Sequence, residues 1–130
     1  MSDSQELRPL QMPLEKASEL ATECWRLCKW TKASSTLGSD RHVLDRAARC
    51  LNEILNSIGV RTIDLAGTAY DPGIVSEVLD VQIDSTLPDG TSLIDETVLP
   101  TVIWNDMVIQ MGQIIVRQAP ARSESLGEMA

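Results

Sequence analysis

Two thiols, Cys24 and Cys28, stand four residues apart in a helical stretch and so share one helix face, a spacing that can seat a pair of metal ligands. A zinc site needs four donors, and beyond these two the chain offers one further cysteine, Cys50, and one histidine, His42. The ordinary reading of such thiols is buried and reduced, and we assign no metal. Nucleophilic catalysis needs a base beside the nucleophile, but His42 follows Arg41 near a helix start, a surface context. Acids are frequent in the second half: Asp64, Asp71, Asp80, Asp84, Asp89, Asp95, Glu96 and Asp106. Most fall at turns or between apolar residues, where solvated strand faces explain them. The run Asp80-Val81-Gln82-Ile83-Asp84 lacks the glycine and terminal glutamate of a calcium loop. Gly67, Gly73, Gly90 and Gly112 are isolated, so no glycine-rich phosphate loop is present. The sequence predicts no catalytic residues and no cofactor; binding or assembly is the expected role.

Composition points the same way. Apolar residues make up 43% of the 130 positions, enough for a core, but with no Phe and a single Tyr that core must be aliphatic. A net charge of −8 argues against nucleic acid or an anionic membrane as the partner and suits contact with a more basic protein surface. No apolar run nears the roughly 20 residues that span a bilayer. The polar, acidic start Met1-Ser2-Asp3-Ser4 is unlike a secretory signal, so a cytoplasmic location is expected.

The elements that position these side chains change type at Gly59. Residues 1–12 read as lacking fixed structure. Pro13 is placed to open a helix running to about Lys32, with a seam of Leu14, Ala17, Ala21, Cys24, Cys28 and Thr31 flanked by Leu20, Trp25 and Leu27. Residues 34–39 form a loop, and Ser39 or Asp40 is expected to cap a second helix reaching Ile58. That helix carries one broad apolar stripe: Val43, Leu44, Ala47, Ala48, Leu51, Ile54, Leu55 and Ile58. Gly59 sits where a left-handed C-cap belongs. The predicted strands are Val60–Leu65, Val78–Ile83, Leu93–Ile94, Val98–Trp104 and Met107–Val116, with turns at Asp71-Pro72-Gly73 and Leu87-Pro88-Asp89-Gly90. Asn105-Asp106 is a two-residue hairpin signal. The expected fold is α+β: a helical hairpin over 13–59, a small mainly antiparallel β domain over 60–117, and a disordered tail over 118–130.

The second half also resembles a family. Gly59-Val60-Arg61-Thr62-Ile63-Asp64, then Gly67, Tyr70-Asp71-Pro72, Asp89-Gly90-Thr91, Pro100 to Ile109 and Ile114-Ile115-Val116 follow the order and spacing of the C-terminal part of GrpE, the nucleotide exchange factor of DnaK-type chaperones. The resemblance spans about Leu44 to Val116. It implies a homodimer whose short helices form a bundle, here through Leu44, Ala48, Leu51, Leu55 and Ile58. It also implies that the β domain binds the nucleotide-binding domain of a DnaK-type or related actin-fold ATPase, here through Val98, Asn105, Asp106, Met107, Gln110 and Val116. The family's hairpin carries a glycine and a basic residue after the Asn; this chain has Asp106 and Met107, and Gln110 at the second basic position. The competing expectation is an assembly subunit that oligomerises through its helices and docks on an unrelated complex.

Overall fold

A computed structural model of the chain describes residues 9–34 and 38–121. Helix α1 (Leu14–Ala33) and helix α2 (Arg41–Ser57) form an antiparallel hairpin. Six strands follow: β1 (Val60–Ile63), β2 (Ser76–Ile83), β3 (Ser92–Leu99), β4 (Thr101–Trp104), β5 (Met107–Gln110) and β6 (Gly112–Gln118). They make two three-stranded sheets, ordered β1-β4-β5 and β2-β6-β3. Every pairing is antiparallel except β2 with β6. The chain is thus α+β, with a helical hairpin first and a mainly antiparallel β region second.

Pro13 is the N-cap of α1, with Lys16 and Ala17 N–H both bonding to its carbonyl at 3.0 Å. The expected seam is buried at Ala17, Ala21, Cys24 and Thr31. Leu14 is exposed because it occupies the first helical position, and Leu20 is exposed rather than flanking a contact. Ser18 and Thr22, polar residues outside the expected seam, are buried instead against β5. Asp40 precedes α2 but makes no capping bond with its side chain. The 3₁₀ turn Gly38–Asp40 runs straight into the helix, and Asp40 is already helical, at φ −76° and ψ −11°. The middle of the predicted interhelical loop, residues 35–37, lies outside the described residues, as do residues 1–8 and 122–130 of the two predicted disordered ends. At the C-terminal boundary the β region runs past Arg117: Gln118 closes β6, and Ala119 is buried with its N–H on Thr91 O at 3.0 Å.

α2 ends as its sequence dictates. Gly59 takes φ +86° and its N–H returns to Asn56 O at 3.0 Å, a conformation costly for any residue with a Cβ. Two predicted strands are each divided. Val98–Trp104 breaks at Pro100, which has no N–H to give a ladder, and Met107–Val116 breaks at Met111. The chain changes sheets at both breaks. The short strand expected at Leu93–Ile94 is the middle of the eight-residue β3.

Each sheet has its own core. Ala17, Ala21, Cys24 and Leu55 from the helices pack with Val60 and Val102 of the first sheet. Ile94, Ile114 and Val116 form the second core, covered by Leu65, Tyr70, Ile74 and Val78. The sheets meet at the two chain breaks. There the Thr101 hydroxyl donates to Val75 O at 3.0 Å and accepts from Gly112 N–H at 3.1 Å. Gly112 is required at this crossing: a Cβ there would stand 2.9 Å from both Leu99 O and Thr101 N.

Candidate partner-binding surface

The β4–β5 hairpin carries four of the expected contact residues, Asn105, Asp106, Met107 and Gln110. Asn105 and Asp106 take φ 50° and 67°, the pair of left-handed conformations of a two-residue turn, between the paired residues Trp104 and Met107. The tip does not float. Asn105 N–H donates to Gly59 O at 3.1 Å, and its side-chain carbonyl lies over the open side of Gly59, so the turn is docked on the end of α2. Met107, 47% exposed, and Val108, 42% exposed, follow the tip. Asn105 and Asp106 are exposed as well, so three consecutive expected contact residues share one presented loop.

The remaining expected contacts divide. Val98 is partly exposed on β3. Gln110 is spent inside the molecule: its amide donates to Thr22 Oγ1 at 2.9 Å and to Pro100 O at 3.0 Å, tying α1 to the break between sheets. Val116 cannot touch a partner, because it is 1% exposed at the centre of the second core, where alternation along β6 points it inward. The expected dimerisation set divides in the same way. Ala48 and Leu55 are buried within the chain and Leu44 is half-buried, whereas Leu51 and Ile58 face solvent. One helix face therefore packs internally, and a second, offset face is left apolar and open.

Between the sheets lies an apolar cleft of about 190 Å³ that the sequence reading did not anticipate. Ile63, Leu65, Ile74, Leu99, Ile103 and Val108 are among the side chains that line it. Its polar lining is already paired, with the Thr97 hydroxyl on Asp64 and the Thr101 hydroxyl on Val75 O. Its apolar lining is aliphatic throughout, as a chain without Phe and with a single Tyr leads one to expect.

Electrostatically, the notable group is Asp64, which follows β1. Its carboxylate accepts from Trp25 Nε1 at 2.9 Å, Thr97 Oγ1 at 2.7 Å and Ala66 N–H at 3.0 Å. Partial burial pushes its pKa up, but these hydrogen bonds and the charge of Lys29 outweigh that and hold it below the ordinary aspartate value. Asp84 is also lowered, chiefly by the Thr86 hydroxyl and N–H, with Arg117 adding to the effect. Burial, with Cys28 and Glu23 nearby, pushes the Cys24 thiol up, the direction of an inert thiol. Cys28 Sγ lies 2.9 Å from Asn52 Nδ2, a contact between α1 and α2. Among the described residues no three His, Cys, Asp or Glu side chains are grouped to hold a metal ion. No described helix is long and apolar enough to cross a membrane. No protein-family model matches the chain, and no curated protein matches it in sequence.

Proposed function

We propose that this chain is a non-enzymatic, cytoplasmic adaptor of the GrpE type, binding the nucleotide-binding domain of a DnaK-type or related actin-fold ATPase and promoting nucleotide exchange. The observation that carries the reading is the docked hairpin. Asn105, Asp106 and Met107 are exposed together on a turn held to Gly59, so the loop is pre-organised and little entropy is lost when a partner binds it. Exchange then follows from preferential binding to an opened nucleotide cleft, a population shift in which no residue of this chain touches nucleotide. In this reading the helical hairpin carries self-association and the β region carries the partner. The hairpin, with Asp106 in place of the glycine and Met107 in place of the basic residue, requires a partner surface altered to match.

The test is calorimetric titration of the chain into a DnaK-type ATPase of the same organism, together with stopped-flow release of a fluorescent nucleotide. Binding with accelerated release is expected. The paired substitutions Val98→Asp and Met107→Asp should abolish both while leaving the melting curve in place. Absence of binding to every such ATPase of the organism overturns the reading.

A second reading, an assembly subunit without exchange activity, is favoured by one specific observation. Gln110 and Val116, two of the six expected contacts, are committed inside the fold. Under that reading the paired variant would still assemble normally with its complex.

A further inference from the structure

The cleft between the two sheets has an interior with little to offer a polar molecule. Ile63, Ile103 and Val108 line it from the first sheet, Leu99 and Ile114 from the second. Its hydroxyls are committed: Thr97 donates to Asp64, Thr101 donates to Val75 O, and Ser76 Oγ lies 3.4 Å from Thr101 Oγ1. A water needs about two to four polar partners, which such walls do not provide. At about 190 Å³ the space exceeds the roughly 150 Å³ of an apolar cavity that stays dry and takes up benzene. The occupant it suits is a hydrocarbon somewhat larger than benzene, of about six to eight carbons.

The rim adds a charge. Arg61 stands directly across from Ile103 in the β1–β4 ladder, and Ile103 across from Val108 in the β4–β5 ladder, so the three form one row on one face of the sheet. Ile63 lies two residues further along β1 on that same face, about 7 Å from the row. Val108 is 42% exposed and Arg61 is exposed, whereas Thr101, opposite Ile63, is buried. The row therefore marks the mouth, and Thr101 the closed end. Between residues 60 and 121 the chain has two cationic side chains, Arg61 and Arg117. Arg117 is held by Asp84 and Asp95. Arg61 forms no ion pair among the described residues, although it shares a surface depression with Asp106.

We propose that this cleft binds a medium-chain monocarboxylate. The hydrocarbon fills the space over Ile63, Ile103 and Ile114, and the carboxylate pairs with the Arg61 guanidinium at the mouth, in contact with water. The reverse orientation is excluded by the walls: a carboxylate at the closed end would find the hydroxyls already paired, and a buried charge without partners is costly. An alcohol of the same length binds through its chain alone. The proposal requires neither an ATPase partner nor self-association.

Calorimetric titration of the full chain with butanoate, hexanoate, octanoate and dodecanoate tests it, with methyl NMR spectra recorded on the same samples. One-to-one binding is expected, tightening about threefold to fourfold for each added methylene up to octanoate. Dodecanoate should gain nothing over octanoate, because the cleft is then full. The methyl signals of Ile63, Ile103 and Ile114 should shift, and those of Ile54 and Ile58 on α2 should not. Arg61→Gln, a change at an exposed position, should weaken octanoate about threefold to fivefold and leave 1-octanol unchanged. Absence of saturable octanoate binding overturns the proposal, as do shifts confined to α2 or an Arg61→Gln variant that binds octanoate as tightly as the parent. So does affinity that climbs steadily to dodecanoate, the mark of adsorption on exposed apolar surface.

Discussion

Replacing Asp64 should have an effect out of proportion to its surface position. Its carboxylate joins three elements: α1 through Trp25, the segment after β1 through Ala66, and β3 through Thr97. Asp64→Ala removes the acceptor from all three. The Ala66 N–H is exposed and can turn to water, but Trp25 and Thr97 are buried, and their donors have no replacement acceptor of the same reach. A buried donor left unsatisfied costs about 1–3 kcal/mol, and the relaxed site recovers part of that, so the net loss for the two is about 2–4 kcal/mol. For a chain of this size that is a fall in melting temperature of roughly 8–16 °C. The assay is urea unfolding followed by tryptophan fluorescence, with Trp25 the local reporter. Asp64→Asn should lose less, because an amide oxygen still accepts, while its NH₂ opposes one donor. The pH dependence follows from the sign of the shift. The folded pKa lies below the ordinary aspartate value, so the stabilisation is complete above that value and is lost as pH falls through the lower folded pKa. An Asp64→Ala variant within 0.5 kcal/mol of the parent on a scale of about 2–4 kcal/mol, with the same acid limb, would refute the reasoning.

Other expectations are simpler. Gly59→Ala should destabilise by about 1–3 kcal/mol, since it combines positive φ with a collision against the Asn105 side chain; chemical denaturation measures it. Gly112→Val should prevent folding, because the Cβ meets backbone on both sides and cannot be relieved by a rotamer change; soluble yield and circular dichroism report it. Under native conditions a thiol reagent should modify Cys50 first and Cys24 last, the order set by exposure and by the raised Cys24 pKa; peptide mapping over time reads the order. Val116→Asp should unfold the second core, whereas Met107→Asp should leave the melting temperature within about 1 °C.

Much of the frame was legible in the sequence because its signals are local. Pro13, Gly59 and Asn105-Asp106 fix backbone conformation through their own chemistry, and the structure places each in the role expected. The strand breaks were less legible. Pro100 is a visible interruption, yet nothing near it tells that the strands on its two sides belong to different sheets; that is decided by pairing with β1 and β6, far along the chain. The α2 stripe was read as one face because periodicity reports apolarity, not what covers it. Ala48 and Leu55 are buried, while Val43 and Ile54, about 100° or more round the helix from them, are exposed. Val116 and Gln110 were expected as contacts from their place in the resemblance, but one lies on the inner face of β6 and the other is half-buried with its amide bonded to Thr22 and Pro100. Asp64 resembled any acid after a strand, and its partners sit 39 and 33 residues away in sequence.

The placement of the chain breaks has a consequence for how this molecule can vary. β3 and β6 are antiparallel neighbours, and Leu99 stands opposite Gln113 where one strand ends and the other begins. A short turn would be enough to join them. Instead the chain leaves the second sheet at Pro100, builds β4 and β5 against β1 and the helices, and returns at Gly112. The presented hairpin is thus a detour inserted between two neighbouring strands of the second sheet. Changes at its tip leave the β3–β6 pairing untouched, so the exposed surface of the hairpin can vary while that pairing stays fixed. The helical half has no such freedom: it borrows two of the three strands in its sheet from the detour, and deleting the detour would leave β1 and the hairpin of helices without a floor.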